Sequence, residues 1–278
     1  MKILIYGKGY IGHHFFNYLQ AQGEPVAWGD ADIANIEKVR RDLKTQQPEV
    51  VLNCAGKTGR PNVDWCETHQ AETVYANVTG PLILLQACSE TETRLVHLGS
   101  GCIYEGNNGG KGFREEDTPN FYGSFYSKTK IWSEQILKEF PVLQLRLRMP
   151  IDNEPGPRNF ISKITQYEKV ISIENSMTVI EDLLPATLEL IKRKRTGIYN
   201  MTNPGGIDHQ NILEQYKTIV DPNFTYKLIS LEELYQNHTQ AKRSNCILNT
   251  TKLQTEGIVM RPIKQAIQEL LEKGFKKN

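Results

Sequence analysis

Short apolar runs alternate with amphipathic ones through the first half of the chain. Residues 2–6 (KILIY), 25–28 (PVAW), 49–56 (EVVLNCAG), 94–100 (RLVHLGS) and 141–150 (PVLQLRLRMP) read as strands of the buried type. Between them, residues 13–23, 35–47, 66–89 and 126–140 carry apolar positions at helical spacing, with Pro81 interrupting the third. This alternation predicts a parallel sheet covered on both faces, a doubly wound α/β fold. Beyond Pro150 the rhythm loosens. Residues 155–170 mix a turn with a helix, 178–193 are helical, 197–202 are strand-like and 263–275 form a last helix. The pattern divides the chain into a sheet domain over 1–147, to which 178–202 contributes, and a smaller lobe drawn mainly from 148–278. Residues 105–125, rich in Gly, Asn and Pro, form a long loop, expected to act as a lid because a helix with candidate catalytic residues follows it directly.

Composition narrows the function classes. The 278 residues carry a net charge of +1, so there is no bulk electrostatic case for nucleic acid or an anionic membrane. No apolar run approaches the ~20 residues that span a bilayer, and the first apolar run is too short for a signal peptide. Cys54, Cys66, Cys88, Cys102 and Cys246 are scattered, with no CxxC or metal-ligand spacing. Reduced thiols in a cytoplasmic protein, and no metal site, are the expectation.

The first chemical signal is GKGYIG, Gly7-Lys8-Gly9-Tyr10-Ile11-Gly12, which directly follows a strand and opens a helix. In that context a G-x-G-x-x-G run is a dinucleotide-binding fingerprint, with the diphosphate at the helix N-terminus. The fold class sharpens to a Rossmann sheet. The second strand ends in Asp30 and Asp32, followed by Ile33, the region that holds the adenosine ribose; Lys8 in the loop can pair with a 2′-phosphate. NADP(H) is preferred on this reading, and NAD(H) stays open.

The second signal is Tyr126-x-x-x-Lys130, which puts a phenol and an ammonium on one helix face, with Ser100 at the end of the preceding strand. A nearby cation favours the phenolate. Such a tyrosine can protonate a carbonyl oxygen while hydride arrives at its carbon.

Ser100, Tyr126 and Lys130 resemble the catalytic triad of the extended short-chain dehydrogenase/reductases. That resemblance implies a nucleotide-sugar substrate and a small C-terminal substrate lobe. It adds Asn53, Ala55 and Gly56 (NCAG) and Asn77 (YANVTG) to the coenzyme site. Residues 58–67, 101–105, 115–130, 146–151, 157–170 and 198–205 are similar, more narrowly, to the 3,5-epimerase/4-reductases of UDP-rhamnose synthesis. The likeness runs from Lys2 to about Leu271. One departure is a glycine loop a residue shorter than the usual G-x-x-G-x-x-G, which bears on coenzyme preference.

The narrower resemblance implies Cys102 and Lys163 as the acid and base of epimerisation, with Lys169 as a substitute for Lys163. Without it, Cys102 reads as a small buried hydrophobe. Arg60, Asn159, Arg243 and Asn245 are the candidates for binding a UDP-sugar, arginine through its bidentate fork. A homodimer is implied at the family level. The rival readings are a reductase acting on an already epimerised UDP- or dTDP-4-keto-rhamnose, and a non-catalytic NADP-binding scaffold.

Overall fold

The computed structural model describes residues 1–276. Its centre is a six-stranded parallel sheet. Strands β1 (Ile3–Tyr6), β2 (Val26–Trp28), β3 (Val50–Asn53), β4 (Arg94–Ser100) and β5 (Leu143–Leu147) are joined by an edge strand, Gly197–Asn200. Their order is β2-β1-β3-β4-β5-edge, and every pairing is parallel, with Ile3 opposite both Val26 and Val50. The two-residue period of the strands explains why both faces are covered. Ile3, Ile5, Val50, Leu52, Leu143 and Leu145 pack on one face with α1 (Tyr10–Ala21) and the helix Ile180–Lys192. Leu4, Tyr6 and Val51 pack on the other with α2 (Ile36–Gln46) and the helix Gly80–Glu90. Asn35 caps α2 by accepting from the Lys38 amide, and Gln47 ends it in the left-handed region.

A second core gathers Ile151, Ile161, Val179, Ile212, Ile263 and Ile267 away from the sheet. Residues 178–202 belong largely to the first core, through the helix Ile180–Lys192 and the edge strand. Leu253, Ile258 and Met260, far along the chain, also return to it.

The long helical stretch over 66–89 is broken in an informative way. The Trp65–Thr68 and Gln70–Val74 segments lead into a π turn over Tyr75–Thr79, where the Gly80 amide bonds to the Tyr75 carbonyl, and then into Gly80–Glu90. Pro81 has no N–H to return to residue 77, so the wider turn falls where an α ladder would be interrupted anyway.

The loop expected to be a lid is a packed wall. Phe113 and Phe121 are buried, Tyr104 stacks on Phe113 at 4.4 Å, and Gly106 and Phe113 bridge to Cys246 and Leu248. Its aromatic residues take it into a core, which its glycine and asparagine content concealed. No helix among the described residues is long and apolar enough to cross a membrane, and no cluster of His, Cys, Asp or Glu among them suits a metal ion.

Candidate active site

Strand order reverses at β1, which leaves a crevice beyond the carboxyl ends of β1 and β3. A cavity of about 700 Å³ occupies it, lined by Gly7, Lys8, Asp30, Asp32, Ile33, Ala55, Gly56 and Tyr75. The glycine loop divides its labour. Gly7 has φ +97°, and a Cβ there would stand 2.4 Å from the Ala55 amide nitrogen. A Cβ at Gly12 would stand 2.0 Å from the Gly7 carbonyl oxygen. Both positions serve the close packing of β1, α1 and the loop after β3. Around a Cβ at Gly9, the N-cap of α1, no atom of the described residues lies within 4 Å. That open face at a helix N-terminus fits a dinucleotide's diphosphate.

Two buried asparagines hold the opposite rim. Asn53 accepts from the Ala55 amide at 3.0 Å and donates to His97 Nδ1. Asn77, in the π turn, brackets Lys57 by accepting from its amide at 2.7 Å and donating to its carbonyl at 2.9 Å. Lys8 Nζ pairs with Asp30 at 2.6 Å, and both side chains are exposed.

A second cavity, also about 700 Å³, lies between the sheet and the smaller lobe. Cys102, Tyr126, Arg158, Lys163, Lys169 and Arg243 are among its lining residues. Ser124 caps the helix Phe125–Leu137 by accepting from the Ser127 amide, which fixes where Tyr126 emerges. Burial raises the Tyr126 phenol above its ordinary range; the Cys102 thiol raises it further, and a hydrogen bond with Ser100 offsets part of this. The expected lowering by Lys130 is not what the structure shows. Lys130 Nζ donates to the Leu98 carbonyl at 3.0 Å, and burial pushes its own pKa down to about 8. Burial also lowers Lys163, with Arg158 acting in the same direction.

Ser100 and Cys102 come together differently from the expectation of a regular strand. β4 stops at Ser100, the chain turns, and the Cys102 amide donates to Ser100 Oγ at 3.1 Å. Ser127 Oγ, on the helix Phe125–Leu137, donates to the Cys102 carbonyl.

The family model described as RmlD substrate binding domain matches residues 1–275. The chain belongs to this family. An Arabidopsis thaliana relative named as a bifunctional dTDP-4-dehydrorhamnose 3,5-epimerase/dTDP-4-dehydrorhamnose reductase is 46% identical over 99% of this chain and 94% of its own. A trifunctional Arabidopsis UDP-glucose 4,6-dehydratase/UDP-4-keto-6-deoxy-D-glucose 3,5-epimerase/UDP-4-keto-L-rhamnose-reductase is 43% identical over 96% of this chain, which spans 41% of that relative. The crystal structure of a UDP-rhamnose synthase from Acanthamoeba polyphaga mimivirus superposes with a TM-score of 0.94 at 38% identity, covering 98% of this chain and 99% of that one.

As a member of the RmlD family, the chain departs from several sequence-based placements. Tyr10 and Ile11 pack against the core of the sheet, so their side chains do not line the coenzyme cavity. Arg60 is exposed and outside the lining of the second cavity, where Arg158 stands instead. Asn159 is fully buried; it accepts from the Ile161 amide and donates to Asp152 and Glu154, so its amide is committed to capping a helix. Arg243 lines the cavity but holds Asp64 through both terminal nitrogens, at 2.8 and 2.9 Å. Asn245 lines it too and accepts from Asn175.

Sequence reasoning missed Arg148. Its guanidinium is buried behind the cavity, and Nη1 reaches Cys102 Sγ at 3.0 Å. The RLRM run contained it, but an arginine two residues from another at a strand end carries no signal of burial.

Proposed function

We propose that this protein converts UDP-4-keto-6-deoxy-D-glucose to UDP-L-rhamnose, inverting carbons 3 and 5 and reducing carbon 4 with NADPH. The observation that carries this reading is the meeting of Cys102, Tyr126 and Lys163 on one cavity. The dinucleotide crevice and the relative named for both activities support it. The trifunctional relative supports UDP as the nucleotide.

The protein is an NADP-dependent nucleotide-sugar enzyme, with Gly9 and Lys8 as residues suited to hold the coenzyme's diphosphate and 2′-phosphate. Bound NADPH supplies the hydride for carbon 4. Tyr126, kept protonated by burial, donates its phenolic proton to the carbon-4 oxygen while Ser100 hydrogen-bonds there. Lys130, one helical turn on and titrating at about 8, can restore that proton near neutral pH.

The ketone acidifies the hydrogens on carbons 3 and 5. In our reading the Cys102 thiolate removes one, and the electron pair moves onto the carbon-4 oxygen as an enolate. Tyr126 and Ser100 stabilise that oxyanion. The Lys163 ammonium returns a proton to the opposite face, leaving a thiol and an amine that exchange protons with water before the second inversion. We extend the reading to a cytoplasmic homodimer. Five free thiols suit a reducing compartment. The exposed row Trp132, Ile136 and Phe140 supports a second copy.

The test is to incubate pure protein with UDP-4-keto-6-deoxyglucose and NADPH and identify the sugar, with the dTDP ketosugar and the already epimerised ketone as parallel arms. UDP-L-rhamnose with matching NADPH oxidation is the expected result. Turnover of the epimerised ketone alone, with no deuterium uptake from D₂O at carbons 3 and 5, would leave only a reductase. No oxidation in any arm removes the enzyme reading.

A further inference from the structure

Two arginines, Arg146 and Arg148, follow one another at alternate positions along and just past β5, and both side chains are about 1% exposed. Arg146 is matched by a carboxylate, with Nε and Nη2 on Glu134 at 2.7 and 2.8 Å. Arg148 has none among the described residues. Its Nη1 donates to Ser244 Oγ at 2.9 Å, and its Nη2 donates to the Ser244 carbonyl at 3.0 Å and to Asn175 Oδ1. Its Nε is buried and has no hydrogen-bond partner among the described residues. A buried guanidinium surrounded by neutral acceptors is costly unless an anion faces it. The group that completes its surroundings is Cys102 Sγ, at 3.0 Å from Nη1.

We propose that Arg148 is the positioning residue for epimerisation: its guanidinium bonds the Cys102 sulfur, aims it into the substrate cavity and faces the charge that sulfur carries when it acts as base. This rests on the reading of Cys102 as the base. Arg148 is absent from the cavity lining that contains Cys102, so it acts through the sulfur and does not touch the sugar. Gly101 makes the approach possible, since a Cβ there would stand 2.8 Å from Arg148 Cδ and 2.9 Å from its Cγ.

The other titratable groups around the sulfur do not take over this role. Tyr126 and Lys130 face it from the catalytic helix, and Tyr126 stays protonated. Lys130 Nζ is engaged at the Leu98 carbonyl. Cys246, on the third side, keeps its proton because burial raises its pKa, and its Sγ donates to the Gly101 carbonyl. Lys163 shares the cavity and is assigned the opposite face of the sugar. Asn175 and Ser244 fix the guanidinium from the smaller lobe, so the base is tuned by residues far from it in sequence.

The experiment measures iodoacetamide alkylation of Cys102 by peptide mass spectrometry across pH, alongside deuterium uptake at carbons 3 and 5 without NADPH. Wild type is compared with Arg148→Gln and Arg148→Lys, each checked for folding by thermal unfolding. An adjacent opposite charge favours the charged form of a nucleophile by about tenfold or more. Arg148→Gln should therefore cut both alkylation and deuterium uptake about tenfold or more at neutral pH, with recovery at high pH; Arg148→Lys should restore part of the loss. An alkylation profile that does not move in folded Arg148→Gln overturns the proposal. If the variants do not fold, the ultraviolet difference spectrum between wild type and Cys102→Ser decides: a thiolate band at neutral pH supports the proposal, and its absence overturns it. Normal deuterium uptake by Cys102→Ser would instead defeat the reading of Cys102 as base, while the alkylation arm would still report on Arg148.

Discussion

The glycine loop makes a prediction that separates packing from ligand binding within six residues. At Gly12 a methyl group would lie 2.0 Å from the Gly7 carbonyl oxygen. Carbon and oxygen approach no closer than ~3.3 Å, so the start of α1 must retreat by more than about 1 Å in Gly12→Ala. Overpacking of this kind costs ~1–3 kcal/mol, which for a chain of this size lowers Tm by roughly 2–12 °C. The retreat also moves the helix N-terminus, and a misplacement of ~1 Å in a binding site costs up to about 100-fold. Gly9→Ala is the contrasting case. Its new methyl meets nothing within 4 Å, and its φ of −97° suits any residue. Its Tm should match wild type. Its NADPH affinity should nevertheless fall, because the methyl occupies the face the diphosphate needs. Losing one hydrogen bond to a charged group is worth ~1.5–3 kcal/mol, or about 10- to 150-fold in Kd. Thermal unfolding and NADPH fluorescence titration read the two quantities separately. A Gly9→Ala protein that titrates like wild type refutes the placement of the diphosphate. A Gly12→Ala protein with unchanged Tm refutes the packing argument.

Tyr126→Phe should reduce the carbon-4 ketone about 10²- to 10⁴-fold more slowly and, having lost a donor on the enolate oxygen, should also slow deuterium exchange at carbons 3 and 5; undiminished NADPH oxidation would remove Tyr126 as the acid. Asp30→Asn frees Lys8 from an exposed pair, worth at most ~1 kcal/mol, so the NADPH-over-NADH preference in KM should rise about two- to fivefold, and an unchanged ratio means Lys8 does not meet the 2′-phosphate. His14 Nε2 and Asp152 Oδ2 lie 2.7 Å apart; the hydrogen bond with Asp152 raises His14, while Asp152 is lowered, burial working against that and the His14 bond overcoming it. Their mutual stabilisation is therefore whole between about pH 4 and 6.5, the ordinary values of the two groups, and is lost as pH rises through the elevated His14 pKa. Wild type should be more stable than His14→Gln by ~1 kcal/mol near pH 6, with the gap closing in alkali; a gap that does not vary with pH contradicts the pairing. Trp132→Glu should convert a dimer to monomers in light scattering, and a wild type already monomeric at high concentration rules out the second copy.

How much was legible depends on whether a feature repeats along the chain or is assembled across it. The strand interiors repeat with period two, so Ile3, Leu4 and Ile5 announce a sheet covered on both sides, and the structure bears that out. Gly7 to Gly12 and Tyr126 to Lys130 are local spacings on one turn or one helix face, and the elements fall where those spacings put them. Composition alone, from which the loop over 105–125 reads as a lid, cannot see Phe113 joining a core with Cys246 and Leu248, or Phe121 becoming buried. Asn159 failed as a ligand for a similar reason: an Asn before a short helix serves equally as cap or contact, and here Asp152 and Glu154 claim its amide.

Arg148 shows the limit most clearly. In the string RLRM the two arginines are equivalent, alternate residues that a strand would place on one face. Burial makes both expensive, and the partner of each comes from a different part of the chain. Glu134, on the helix Phe125–Leu137, neutralises Arg146. Among the described residues nothing acidic meets Arg148, whose contacts come from Asn175, Ser244 and the Cys102 sulfur. A fold under selection for stability alone has no reason to keep an unmatched buried charge, since an apolar side chain of similar size would fill the space at lower cost. Placed beside a thiol that opens onto the second cavity, the unmatched charge fits the role proposed for Arg148. On that proposal Cys102 does more than pack, and the guanidinium at 3.0 Å is the contact that the packing reading leaves without a use.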